Sequence, residues 1–74
     1  MYKIVDSHRQ QPFKAVVKKD RDGYGWIWKG DIAFTDGHNL SFVSKRTFAT
    51  SGEAEEYMRR YACDRIDYRL DPPK

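Results

Sequence analysis

Two Asp-Gly dipeptides, Asp22-Gly23 and Asp36-Gly37, bracket an aromatic and β-branched run in this chain. Asp-Gly between alternating apolar segments is a strong short-range hairpin signal. Glycine takes a positive φ without steric cost, and aspartate bonds to the turn backbone. Two such turns in succession force the segments around them to run antiparallel in chain order.

The flanking segments read as strands. From Pro12, Phe13, Ala15 and Val17 alternate with Lys14, Val16 and Lys18, the period of a half-buried strand. Proline suits the first position of a strand, where its missing N–H costs least. The second strand spans about 24–35, with Trp26, Trp28, Ile32 and Phe34 on one parity. Gly30 inside it suggests a bend or bulge, which would shift the parity of Ile32 and Phe34. The third strand covers about 40–48, with Leu40, Phe42 and Phe48 as its apolar set. Residues 1–11 are polar after a short MYKIV start; residues 2–5 could add a strand, but we expect a loose, flexible arm.

Thr50 stands three residues before Glu53, the spacing of a capping box that satisfies orphan N–H groups at a helix start. Ala54, Tyr57, Met58, Tyr61 and Ala62 then fall at i, i+3, i+4, i+7 and i+8, one apolar stripe that Ile66 extends. Glu55–Arg59 and Glu56–Arg60 are i,i+4 pairs in the favourable order. Asp71-Pro72-Pro73 ends regular structure. The pattern predicts an α+β fold: a three-stranded antiparallel meander (β-β-β-α) with one C-terminal helix packed on one face. The arm would be 1–11, the domain 12–67 and a C-terminal tail 68–74.

A chain of 74 residues buries a modest core, so support must come from good packing or self-association. Cys63 alone cannot form an internal disulfide. His8 and His38 lie too far from it in sequence to resemble a zinc-ligand pattern. The helix stripe would therefore cover Trp26 and Trp28 with Phe13, Val17 and Phe42. The sharper alternative makes Trp26, near the strand start, part of a partner patch.

The other face of the sheet would carry Lys14, Val16, Lys18, Ile27, Lys29, Ser41, Val43, Lys45 and Thr47, with no helix to cover them. Such a face is either a solvated exterior whose lysines discourage strand pairing or an interaction surface. The net charge is +3, and residues 1–30 alone carry +4. A basic surface attracts polyanions. Single-strand binders on open sheets, however, stack bases on exposed aromatics, and this face holds none by parity.

Catalytic, metal-binding and cofactor-binding residues are not indicated. Cys63 beside the apolar stripe behaves as a small hydrophobe. Asp36, His38 and Ser41 look like parts of a hydrolytic site, yet turn chemistry explains the first two. No phosphate-cradling glycine loop is present, and Glu53, Glu55 and Glu56 make the helix start unfavourable for phosphate.

Gly25-Trp26-Ile27-Trp28, Phe42-Val43-Ser44 and Phe48-Ala49-Thr50 leading into Glu53-Ala54-Glu55 resemble small, uncharacterised bacterial stand-alone β-β-β-α domains of unknown function. The resemblance covers residues 12–67 and implies a fold rather than an activity. The arrangement is also similar to the β-β-β-α portion of double-stranded RNA-binding domains. The first helix of those domains is missing here. Glu53, Glu55 and Glu56 also occupy the helix start where they place lysines, so that role does not transfer.

No stretch approaches the roughly 20 apolar residues that span a bilayer. The N-terminus lacks an apolar signal region, and a lone cysteine fits a reducing compartment. We therefore expect a cytoplasmic, non-enzymatic module acting through protein contacts, with a homodimer as one form and without membrane, metal or cofactor. The alternative is nucleic-acid binding through Lys14, Lys18, Lys29 and Lys45.

Overall fold

Side-chain alternation organises the sheet strand by strand. In the computed structural model, which describes residues 2–72, β1 (Tyr2–His8), β2 (Gln11–Lys19), β3 (Trp26–Ala33) and β4 (Asn39–Val43) precede one helix, α1 (Ser51–Leu70). The strands pair antiparallel in chain order. The chain is thus α+β, with an antiparallel meander and one C-terminal helix on one face. It has four strands, one more than the expected β-β-β-α.

The extra strand is the segment expected to be a loose arm. Tyr2 and Ile4 face the helix, while Lys3 and Val5 face away. The turn into β2 carries no glycine; Arg9 and Gln10 both take positive φ, 52° and 67°, the signature of a type I′ hairpin. Left-handed backbone costs an ordinary residue about 1–2 kcal/mol, and neighbouring contacts offset that cost. Buried Gln11 donates through Nε2 to the Arg9 carbonyl (3.2 Å) and accepts from the Thr35 N–H (2.8 Å) and hydroxyl (3.2 Å). His8 Nε2 lies 2.8 Å, and Arg9 Nη1 3.3 Å, from Asp67 Oδ1 on α1.

Gly30 does not open a bulge. The β2–β3 register runs unbroken from Phe13↔Ile32 to Lys19↔Trp26, so parity is preserved and Ile32 and Phe34 are both buried. The glycine instead permits close strand approach: a Cβ there would lie 2.2 Å from the Lys14 carbonyl oxygen.

The other strand ends also differ from expectation. β4 stops at Val43, and only a single bridge, Trp26↔Phe48, resumes pairing. The helix runs to Leu70, into the expected tail; Pro73 and Lys74 lie outside the described residues.

The core lies between sheet and helix. Phe13, Ala15, Val17, Trp28, Ile32 and Phe42 meet Ala54, Met58, Ala62 and Ile66, an i,i+4 row in which small and large residues alternate. The alanines let the helix approach the aromatic layer closely. Tyr57 and Tyr61, expected within the stripe, lie at its margin with 40% and 36% exposure. Their rings close the sides, Tyr61 on Trp28 and Phe42 and Tyr57 on Phe48, at centroid distances of 5.0–5.4 Å. Thr50 caps the helix by accepting from the Glu53 N–H at 3.1 Å.

Polar contacts fasten α1 along its length. Tyr2 donates to Glu55 at 3.1 Å, Arg59 pairs with both Glu55 and Asp6, and Arg69 Nη2 lies 2.7 Å from Asp36. Along β1 and at the C-terminal end of α1 the helix-side charges are therefore occupied by internal partners.

Candidate interaction face

Among the described residues no element covers the side of the sheet away from α1. Across its middle the register aligns Lys3, Val16, Lys29 and Val43 in one row. The next row holds Val5, Lys14, Asp31 and Ser41, and Lys18 pairs with Ile27 beyond them. No lysine stands directly opposite another, and each has an aliphatic cross-strand neighbour. Like charges directly opposed would destabilise the sheet, and alternation avoids this.

These two rows line a shallow concavity of about 730 Å³. Its aliphatic side chains are open to solvent, with Val5 80% and Val43 58% exposed. Lys3, Lys14, Lys18 and Lys29 make no ion pair among the described residues. The single carboxylate on the face, Asp31, accepts a hydrogen bond from Ser41 Oγ at 3.1 Å. The face is net positive and keeps its charges free.

Five of the residues expected here, Lys14, Val16, Lys29, Val43 and Ser41, come together in the concavity. Lys18 and Ile27 continue the same face toward the β2–β3 loop. Lys45 does not join them: β4 has ended, and Lys45 sits in a bend of the β4–α1 connection. Thr47 lies outside the strands and does not line the concavity; its side chain stands where a Cβ on Gly25 would be. Lys3 and Val5 were missed, because β1 was not expected as a strand. Their signal was the Tyr2/Ile4 against Lys3/Val5 alternation, too short to outweigh a turn without glycine.

Trp26 is neither fully covered nor free. It packs against the core edge, with Lys19 Nζ 5.7 Å from its ring centroid, on the helix side of the sheet and apart from the lysine face.

The chemistry weighed from sequence does not assemble. Cys63 is half-buried; burial first, then the nearby Asp67 and Asp64 carboxylates, push its thiol above the ordinary value, opposite to nucleophile activation. Ser41 is engaged by Asp31 on the open face, whereas Asp36 is engaged by Arg69 at the helix end. The His38 N–H donation to Asp36, then Arg69, holds the Asp36 carboxyl below the usual range. Among the described residues no three His, Cys, Asp or Glu side chains cluster to hold a metal, and no helix is long and apolar enough to cross a membrane.

No family model, curated protein or solved structure matches this chain.

Proposed function

We propose that the protein is a small, non-enzymatic, cytoplasmic interaction module whose open sheet face docks an acidic, amphipathic segment of a protein partner. The observation that carries this is the chequerboard itself: unpaired lysines interleaved with exposed aliphatic side chains over one concave surface. Fully burying one exposed valine stabilises a complex by about 1.5–3 kcal/mol. Exposed lysine–carboxylate pairs add about 0–1 kcal/mol each and act mainly on encounter rate and register. An acidic amphipathic segment engages both; a phosphate backbone would leave the aliphatic floor in water.

Charge also disfavours this face as a self-association surface. Two copies placed face to face would bring four lysines against four, with only Asp31 on each side to offset them. A homodimer would have to use a sheet edge instead, and sedimentation at micromolar concentration reads that separately.

The test is titration with a peptide alternating glutamate and leucine on one helical face, beside the same peptide with glutamine for glutamate. The acidic peptide should bind, weaken with salt, and lose affinity to Lys14→Glu/Lys29→Glu. Equal binding of both peptides, or an unaffected double variant, would refute the proposal.

A further inference from the structure

At the end of the sheet where α1 begins, cations rest on aromatic rings in a continuous row. Lys19 Nζ lies 5.7 Å from the Trp26 ring centroid. Trp26 and Phe48 exchange backbone hydrogen bonds of 2.9 and 2.8 Å, which makes them cross-strand neighbours. The Arg46 guanidinium carbon lies 4.7 Å from the Phe48 centroid and 5.0 Å from that of Tyr57. Arg60 approaches Tyr57 at 5.5 Å. Tyr24, two residues before Trp26, is 92% exposed.

The far end of the sheet supplies the contrast. There Arg69 lies 4.8 Å from the Phe34 centroid, but its guanidinium also donates to Asp36 at 2.7 Å. Arg46 is stacked in the same way and has no carboxylate or hydrogen-bond acceptor among the described residues. Arg60 has only a 3.8 Å contact with Glu56, both side chains largely exposed. A stacked guanidinium keeps its five N–H donors at the ring edge, already oriented for an oxyanion.

We propose that this row is a single-stranded nucleic acid site, with phosphates on Lys19, Arg46 and Arg60 and a base stacked on Tyr24 or the outer face of Arg46. Stranded cations alone would suit any polyanion. An exposed ring and a stacked guanidinium plane beside them, here Tyr24 and Arg46, are the elements that hold unpaired bases. The row lies on the helix side of the sheet, so it does not depend on the lysine face. Its phosphate contacts are the side chains of Lys19, Arg46 and Arg60, not the α1 N-terminus that Glu53, Glu55 and Glu56 make unfavourable.

The experiment is fluorescence anisotropy with a fluorescein-labelled oligothymidine of about a dozen nucleotides. Three phosphate contacts on a single strand predict a log–log salt slope of about −2. Arg46→Glu should weaken binding by about tenfold or more and flatten that slope, with Arg46→Lys between it and wild type. Circular dichroism confirms folding of each variant. Lys14→Glu/Lys29→Glu should have a smaller effect, and Arg46→Glu should leave binding of the acidic peptide nearly intact. Four results would each overturn the site: no oligothymidine binding at low salt; an Arg46→Glu affinity equal to wild type; tighter binding to duplex; or equal competition by polyglutamate.

Discussion

Gly30→Ala tests the close β2–β3 approach that keeps the sheet in register. The new Cβ would lie 2.2 Å from the Lys14 carbonyl oxygen and 2.8 Å from both Cα and Cβ of Ala15. Carbon atoms pack best at about 3.5–4.0 Å, so β3 must move away from β2 by roughly 1 Å at mid-sheet. Overpacking of this kind costs about 1–3 kcal/mol, and loosened ladder hydrogen bonds add about 1 kcal/mol each. Lower unfolded-state entropy returns about 0.5–1 kcal/mol. The net loss is about 3 kcal/mol, against a total of about 4–11 kcal/mol for a domain this size. In a domain of this length that corresponds to a fall in Tm of about 12–24 °C. Gly52→Ala is the matched control: a Cβ there meets nothing within 4 Å, and the first helical turn should gain about 0.5–1 kcal/mol. Thermal unfolding of both variants by circular dichroism measures the difference. A Gly30→Ala Tm within about 3 °C of wild type would refute the tight approach.

Other consequences follow from the helix contacts and the core. Asp6, Asp36 and Asp67 all have carboxyls held below the ordinary 3.8, chiefly by the Ser7 N–H, the His38 N–H and the His8 ring, with Arg59, Arg69 and Arg9 adding to each. A depressed folded pKa gives stability that is present above the unfolded value and lost as pH falls through the folded one. Tm should therefore be insensitive to these groups above about pH 5 and fall below about pH 4; a flat profile down to about pH 2 would contradict the pairings. On the alkaline side, burial and the bond to Glu55 raise the Tyr2 hydroxyl above its ordinary 10.0. Its contribution should persist to that pH and vanish only above it. The buried Trp28 indole N–H finds no acceptor among the described residues. Trp28→Phe should thus cost only about 1 kcal/mol, because removing an unsatisfied donor offsets lost ring area, while Trp28→Ala should cost about 3–5 kcal/mol in urea unfolding. A Trp28→Phe loss well above about 1 kcal/mol would contradict an unpaired N–H.

Much of the fold was legible because its signals are local. Alternation in 12–18, the Asp-Gly turns and the Thr50 half of the capping box each act within a few residues, and all appear where expected. β1 was not legible, because its turn is held by distant partners. Gln11 reaches Thr35, and His8 and Arg9 reach Asp67, so a sequence without a turn glycine still makes a hairpin. The Gly30 bulge was a reasonable local expectation; in fact glycine serves an approach between strands, which only the paired backbone reveals. The lysine face was half legible. Its β2, β3 and Val43 members follow from parity, but Lys3 and Val5 needed β1, and Lys45 left because Val43 ends the strand. The aromatic–cation row was beyond parity altogether: Arg46 and Tyr57 come from a connection and a helix, and their stacking is a tertiary fact.

The measurement that tests the central claim most directly is an NMR titration of the isotope-labelled protein with the glutamate–leucine peptide. Docking on the open face predicts that amide shifts concentrate at Lys3, Val5, Lys14, Val16, Lys29 and Val43, with α1 nearly silent. Shifts centred on α1 or the Trp26–Phe48 end, or no shifts at low salt, would contradict it.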